Sequence, residues 1–258
     1  MREYTATFTP TEGDCNPEQR MSLPLLVTKL FEIAACHASV LDIGYEKLSG
    51  NNLRWVVTRL ALEMERYPRV NEQCSVVTWI EEYNRHFSER NFEITGCDGE
   101  KLGYARTVWL VINADTRETG ETAGFDGYGD ITSPRLCPIE RQSRLMPVKA
   151  GVEMPYTFQY VDIDSNRHVN STRYIELLMN HWSLEHYDRH YIRRFELTYI
   201  KECLYGMKVT VRFDDSDPMD CKAEIEEDGV SHLRARIKFA ERDYSRDIEE
   251  KMRGQKKI

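Results

Sequence analysis

Leu25, Leu26, Leu30, Ile33, Ala34, His37, Ala38 and Leu41 recur at helical spacing, with Ser22 and Pro24 as start signals and Gly44 as the stop. This pattern predicts a long, mostly buried helix. Four apolar or alternating runs follow, at residues 53–64, 75–80, 91–95 and 104–113, broken at Tyr67-Pro68, Asn84-Arg85 and Cys97-Asp98-Gly99. The message is a helix followed by a four-stranded meander.

From 120 to 155 the texture changes. Gly120, Gly124, Gly127, Gly129, Pro134, Pro138 and Pro147 interrupt a stretch with little apolar periodicity, too long for an ordinary loop inside a domain. Beyond it the first pattern returns. A short strand at 156–161 leads into a helix from about Ser171, with Tyr174, Ile175, Leu178 and Trp182 on one face, and strands follow at 195–202, 207–213, 221–225 and 233–239. An offset of 150 places Phe8 on Phe158, Asp14 on Asp164 and Asn16 on Asn166, with Glu18 where His168 stands, so the chain reads as a duplicated unit.

A strand, a long central helix and an antiparallel sheet wrapped around it describe an α+β layer, the hot-dog plan, here in tandem. The expected organisation is an N-terminal unit at 1–130, a linker at 131–152, a C-terminal unit at 153–245 and a tail at 246–258. The two sheets should pair as a pseudo-dimer, removing edges that either would expose alone.

Composition narrows the function classes. With 41% hydrophobic and 30% charged residues the chain suits a folded domain and not a disordered one. Its net charge of -8 disfavours nucleic acid as a partner. No uninterrupted apolar run suits membrane insertion, and the first residues lack the pattern of a secretory or organelle leader, so the expectation is a bacterial cytoplasm. Seven cysteines without a CxxC pair imply neither a disulfide framework nor a zinc ribbon. His186 and His190 are four apart on an expected helix, but no HExxH-type carboxylate accompanies them, so no metal or other cofactor is expected. The oligomeric state is open, with a homodimer allowed.

The chemistry concentrates in Asp162-Ile163-Asp164-Ser165-Asn166-Arg167-His168-Val169-Asn170, just before the second helix. A capping loop needs only one such residue, and Asn170 or Ser171 would serve. If the segment is extended, Asp164, Asn166 and His168 share one wall. A carboxylate, an amide donor and an imidazole near a helix N-terminus suit hydrolysis of a thioester, which needs a base or nucleophile, an oxyanion donor and a group that moves the proton.

These residues resemble the acyl-ACP thioesterases of plant plastids and their bacterial relatives. The family's DxNxHVNxxxY run stands here as Asp164, Asn166, His168, Val169, Asn170 and Tyr174, and a second signature as Lys201-Glu202-Cys203 after Tyr199. The first half is similar in Trp55-Val56-Val57-Thr58-Arg59, Tyr67-Pro68, Thr78-Trp79 and Trp109 leading to Asp115-Thr116-Arg117. The resemblance implies a double hot-dog enzyme that releases fatty acid from acyl carrier protein, with Asp164, Asn166, His168 and Glu202 catalytic. It also implies an acyl tunnel formed largely by the N-terminal unit, with Trp55, Val57 and the first helix as binding residues. The first unit would carry a degenerate site given over to binding.

Two mechanistic questions stay open on the residues alone. Glu202 and His168 could activate water, or Glu202 could attack directly, with Asp164 fixing His168 and Asn166 supporting the oxyanion. A Cys203, His168, Asn166 arrangement is a competing nucleophilic reading. Glu202 and Cys203 are strand neighbours and point to opposite faces, so only one can meet His168, and the resemblance favours Glu202. An acyl-CoA thioesterase, a dehydratase and a non-catalytic acyl-chain sensor are the other functions such a fold would serve. An acidic carrier protein would need a local basic patch, for which Arg193, Arg194, Lys201, Lys208, Arg66 and Arg69 are candidates.

Overall fold

A computed structural model describes residues 2–84, 86–119 and 131–243. The first half runs β1 (Glu3–Phe8), α1 (Leu23–Val40), a short α2 (Tyr45–Ser49), β2 (Leu53–Met64), β3 (Cys74–Tyr83), β4 (Ser88–Thr95) and β5 (Lys101–Asn113). The second runs β6 (Val152–Thr157), α3 (Ser171–Met179), α4 (Leu184–Arg189), β7 (His190–Tyr199), β8 (Lys208–Asp214), β9 (Asp220–Glu227) and β10 (Val230–Glu241). All strands join one antiparallel sheet in the order β1-β3-β4-β5-β2-β7-β10-β9-β8-β6. The halves meet where Arg59 to Glu63 of β2 pair with Thr198 to Arg194 of β7, which turns two edge strands into central ones.

Alternation along the strands selects the buried face. In β10, Leu233, Ala235 and Ile237 are buried while Arg234, Arg236 and Lys238 face outward. That face curls around α1 and α3, which touch each other, and one continuous core runs through both halves from Leu26, Leu30 and Phe92 to Phe195, Leu197 and Ile225. By length and composition α1 would suffice to cross a membrane; half of it is buried, with Leu26, Val27 and Leu30 fully enclosed.

The second helix is not the long one expected. Ser183 accepts a hydrogen bond from the His186 N–H and starts α4 as its N-cap, so the helical run breaks after Met179. Trp182 therefore lies in the break, where its ring packs edge-on against Phe239 at 4.9 Å, and His181 stacks on Phe213 at 3.8 Å. Aromatic anchoring replaces helix continuity in burying this segment. β7 likewise ends at Tyr199, so Glu202 stands beyond the strand rather than in it.

Residues 131–152 cross the outer face of the sheet. Trp79 Nε1 donates to the Arg135 carbonyl, Arg106 donates to the carbonyls of Cys137 and Ile139, and the Val148 N–H donates to Glu224. The expected linker is thus a strap with its own small cluster of Trp79, Cys137 and Ile139. Gly120, Gly124, Gly127, Gly129 and the expected tail at 246–258 lie outside the described residues.

Gly151 ends the strap at φ +153°, and a Cβ there would lie 1.7 Å from the Phe213 carbonyl oxygen. Gly151→Ala is expected to destabilise the fold by about 2 to 4 kcal/mol, through backbone conflict and lost pairing of β6 with β8. Chemical denaturation measures this, and an unchanged midpoint would show that the segment moves aside without cost.

Candidate active site

The segment before α3 folds as a tight loop. The Asp164 N–H donates to the His168 carbonyl at 2.8 Å, and Arg167 turns the chain with φ +66°. Asp164 Oδ1 accepts from the backbone N–H groups of Asn166 (2.8 Å) and His168 (3.2 Å). The extended geometry expected for this run is therefore absent, yet Asp164, Asn166 and His168 all line one cavity. Asp164 thus holds His168 through its backbone N–H, which fixes where the imidazole is anchored in the loop. Asn170 is the cap of α3, accepting from the Thr172 N–H at 3.0 Å, as the bland reading of the cluster requires.

Glu202 reaches the same place from the other side. The Val169 N–H donates to the Cys203 carbonyl, the Cys203 N–H donates to the Tyr174 hydroxyl, and the Tyr199 hydroxyl donates to the Ser171 carbonyl. These bonds lash the end of β7 to the start of α3. As a result Glu202 Oε2 lies 3.2 Å from His168 Nε2. Glu202 Oε1 pairs with Arg117, which the N-terminal half sends across. Burial lowers the His168 pKa from its ordinary 6.5 and the nearby Arg117 charge lowers it further, with Asp164 opposing, which favours the neutral, base-competent imidazole.

Cys203 points away. It is fully buried, and burial pushes its thiol up to about 11, so it is protonated near neutrality and packs as a small apolar group. Cys203→Ala is expected to keep near wild-type turnover; a loss as large as that of a His168 variant would return the cysteine to the mechanism.

The cavity at the His168–Glu202 pair measures about 300 Å³ and continues into a second of about 510 Å³ in the N-terminal half. Phe31, Arg54, Trp55, Trp109 and Asn166 line both. Trp55 is positioned by its Nε1 donating to the Ile43 carbonyl at 2.9 Å, and Val57 lines the first cavity. The second exists because α1 presents Ala34, Ala35 and Ala38 on one side, leaving room that larger residues would fill. On its wall sits Arg90, buried, bound to His37 Nδ1 at 2.8 Å and paired with no carboxylate among the described residues; burial lowers it to about 9. The larger cavity is thus apolar along α1, at Phe31, Ala34, Ala35 and Ala38, and carries polar groups elsewhere on its wall, Arg54, Ser88, Arg90 and Asn166 among them.

The duplicated half corrects the offset of 150. Asn16 N–H donates to the Arg20 carbonyl and Gln19 turns with φ +59°, matching Asp164, His168 and Arg167 at an offset of 148. The Met21 N–H donates to the Pro68 carbonyl as that of Val169 does to Cys203. Glu18 therefore corresponds to Asn166, Arg20 to His168 and Tyr67 to Glu202. The cavity there is only about 30 Å³, and Glu18 pairs with Arg242 at 3.5 Å. The first half's counterpart of the loop thus faces only a small cavity, and the larger ones lie at the Asp164–His168 loop and along α1.

Several expected basic docking residues are engaged within the chain. Arg193 pairs with Glu63 and Glu65, Arg194 with Glu63 and Glu196, and Arg66 with Glu72 and Glu100, whereas Lys201 stands exposed at the cavity. The rings of His186 and His190 are 4.5 Å apart, and among the described residues no group of three or more metal-ligating side chains forms. Arg117 was not singled out as a site residue from sequence; its one signal was Asp115-Thr116-Arg117, read only as likeness.

Residues 2–123 match the acyl-ACP thioesterase N-terminal domain family and 146–241 the C-terminal domain family. The crystal structure of an acyl-ACP thioesterase from Bacteroides thetaiotaomicron superposes with a TM-score of 0.86 at 34% identity, covering 92% of this chain and 98% of that one. The 12:0-ACP thioesterase from Umbellularia californica shares the fold, with a TM-score of 0.82 at 22% identity over 93% of this chain and 98% of that one. A chloroplastic palmitoyl-acyl carrier protein thioesterase from Arabidopsis thaliana is 25% identical over 78% of this chain, which spans 52% of that relative's length.

Proposed function

This chain belongs to the acyl-ACP thioesterase family, and from that premise we propose that it hydrolyses the thioester of a long acyl chain carried on acyl carrier protein, releasing free fatty acid. The observation that carries the proposal is the meeting of His168 and Glu202 at the mouth of a groove built by the other half. The acyl chain lies along α1 among Ala34, Ala38, Phe31 and Trp55, with its carbonyl at the mouth beside His168.

Water attacks that carbonyl as its proton passes to the His168–Glu202 pair. The tetrahedral oxyanion accepts from the Asn166 amide, which stands at the rim with one N–H directed to Asp164 Oδ2 and a second to offer. Collapse breaks the C–S bond, and the imidazolium returns its proton to the departing carrier thiolate. The products are a carboxylic acid and a thiol, with no change of oxidation state.

The test is a panel of carrier-linked acyl chains assayed for free thiol, with the coenzyme A thioester of the same chain as comparison. Preference for the carrier-linked form supports the reading, equal or faster use of coenzyme A makes this an acyl-CoA hydrolase, and no thiol from either refutes hydrolysis. The pH profile is a second expectation. Only neutral His168 accepts the proton, and its pKa is lowered, so kcat/KM should rise with pH along a limb below 6.5 and level off above it. A limb well above 6.5 would contradict the assigned base.

A further inference from the structure

Among the described residues, Arg117 is the one charged side chain of the N-terminal half that pairs with Glu202, and its backbone is built to send it there. Asn113 Oδ1 accepts from the N–H groups of Asp115 (2.9 Å) and Thr116 (3.0 Å), and the Arg117 N–H donates to the Asn113 carbonyl at 3.1 Å. Asn52 ties the turn down from a second side, its amide donating to Asp115 at 2.7 Å. Within this turn Arg117 adopts φ +60°, the left-handed region that a long side chain seldom occupies. Among the described residues its buried Nε has no hydrogen-bond partner. A partly exposed ion pair adds little stability, so the contact with Glu202 does not by itself account for a strained backbone and an unsatisfied donor. The turn and the contact with Glu202 together fix where the guanidinium stands.

The two oxygens of Glu202 are divided: Oε1 meets the Arg117 guanidinium and Oε2 meets His168 Nε2. A carboxylate held by charge-assisted hydrogen bonds stays ionised and loses basicity and nucleophilicity. We propose that Arg117 is a positioning residue which clamps Glu202 as a carboxylate against His168, so that Glu202 orients the imidazole and His168, not Glu202, takes the proton from the attacking water.

This inference rests on the hydrolase reading and deepens it. It sets aside direct attack by Glu202, and it makes the site incomplete without the N-terminal half. The charged groups around His168 come from each neighbouring element: Asp164 on its own loop, Glu202 and Lys201 after β7, Arg117 after β5 and Arg54 on β2. Of these, Arg117 and Asp164 act on its titration in opposite senses, Arg117 lowering and Asp164 raising. Removing the guanidinium takes away a positive charge and frees Glu202 to favour the imidazolium, so His168 should titrate at higher pH.

The experiment compares wild type with Arg117→Gln and Arg117→Lys in two readouts. With carrier-linked substrate, Arg117→Gln should lower kcat by about ten- to a hundredfold with little change in KM, as expected for a misplaced catalytic group. The acid limb of its profile should move up, and Arg117→Lys should restore much of both. Independently of turnover, the His168 ring resonance, assigned by its absence in His168→Ala, should titrate at higher pH in Arg117→Gln than in wild type. An unchanged His168 titration in a folded Arg117→Gln protein overturns the clamp while leaving hydrolysis intact, and so does a rise confined to KM, which would make Arg117 a substrate contact. Absence of turnover in wild type, with the His168 shift present, overturns the hydrolase reading and with it the catalytic part of this proposal.

Discussion

His168→Ala and Glu202→Gln are each expected to lower kcat for carrier-linked thioester hydrolysis by about two to four orders of magnitude, with unchanged thermal stability. The size of the effect follows from the proton. Without the imidazole the attacking water keeps its proton into the transition state, and without the carboxylate the imidazole loses both its orientation and the partner that stabilises its charged form. Stability should hold because neither side chain belongs to the core: 24% of His168 and 43% of Glu202 remain accessible. Their effects should not add, since both act on one proton transfer, and the double variant should be about as slow as the slower single one. Steady-state kinetics on folded variants decides this, and near-normal rates in either would refute the assignment. Asp164→Ala should cost less, because it loosens the loop that carries His168 without removing a reacting group.

Ala38→Phe should nearly abolish activity on long acyl chains while sparing short ones. Ala38 is buried on α1 and lines the larger cavity, so a ring there fills space the chain would occupy. His168 and Glu202 line the smaller cavity and not the larger one, so a chain too short to reach Ala38 still places its carbonyl beside His168. Each methylene excluded from an apolar site forfeits about 0.8 kcal/mol. A chain shortened by four carbons therefore loses binding by roughly two orders of magnitude, ample to reverse a preference. The readout is kcat/KM across a chain-length series. An unchanged series would mean that the acyl chain does not run along α1, and the groove would need another occupant.

The candidate cluster before α3 was legible because it sits in a short run whose composition has no structural excuse, whereas Glu202 came only through the family resemblance. Two Asp, two Asn and a His within nine positions exceed what a helix cap needs, and Lys201-Glu202-Cys203 carries an acid beside a buried thiol. Their geometry was not readable. The alternation argument put Asp164, Asn166 and His168 on one wall for the wrong reason: a turn through Arg167 brings them together, and left-handed backbone at an arginine leaves no mark in composition. The offset of 150 was chosen by matching letters, Asp14 on Asp164, whereas the hydrogen-bond pattern of the loop selects 148 and puts Arg20, not Glu18, in the place of His168. Identity between single residues is weaker evidence of correspondence than a shared turn.

Periodicity by itself determined the outline of the architecture: a helix-and-meander written twice, α1 nearly to its ends, β2 to the residue, and the inward face of β10, because burial on one face imposes a period of two on a strand. Only the tertiary structure decided which half supplies what. Arg117 and Glu202 are 85 positions apart, the larger cavity lies against three alanines of α1, and the first half's counterpart of the site is nearly filled, with Arg20 and Tyr67 on its wall. Contacts between segments distant in sequence are set by how two sheets pair and curl around their helices, and that pairing is a property of the assembled core that no local run of residues contains.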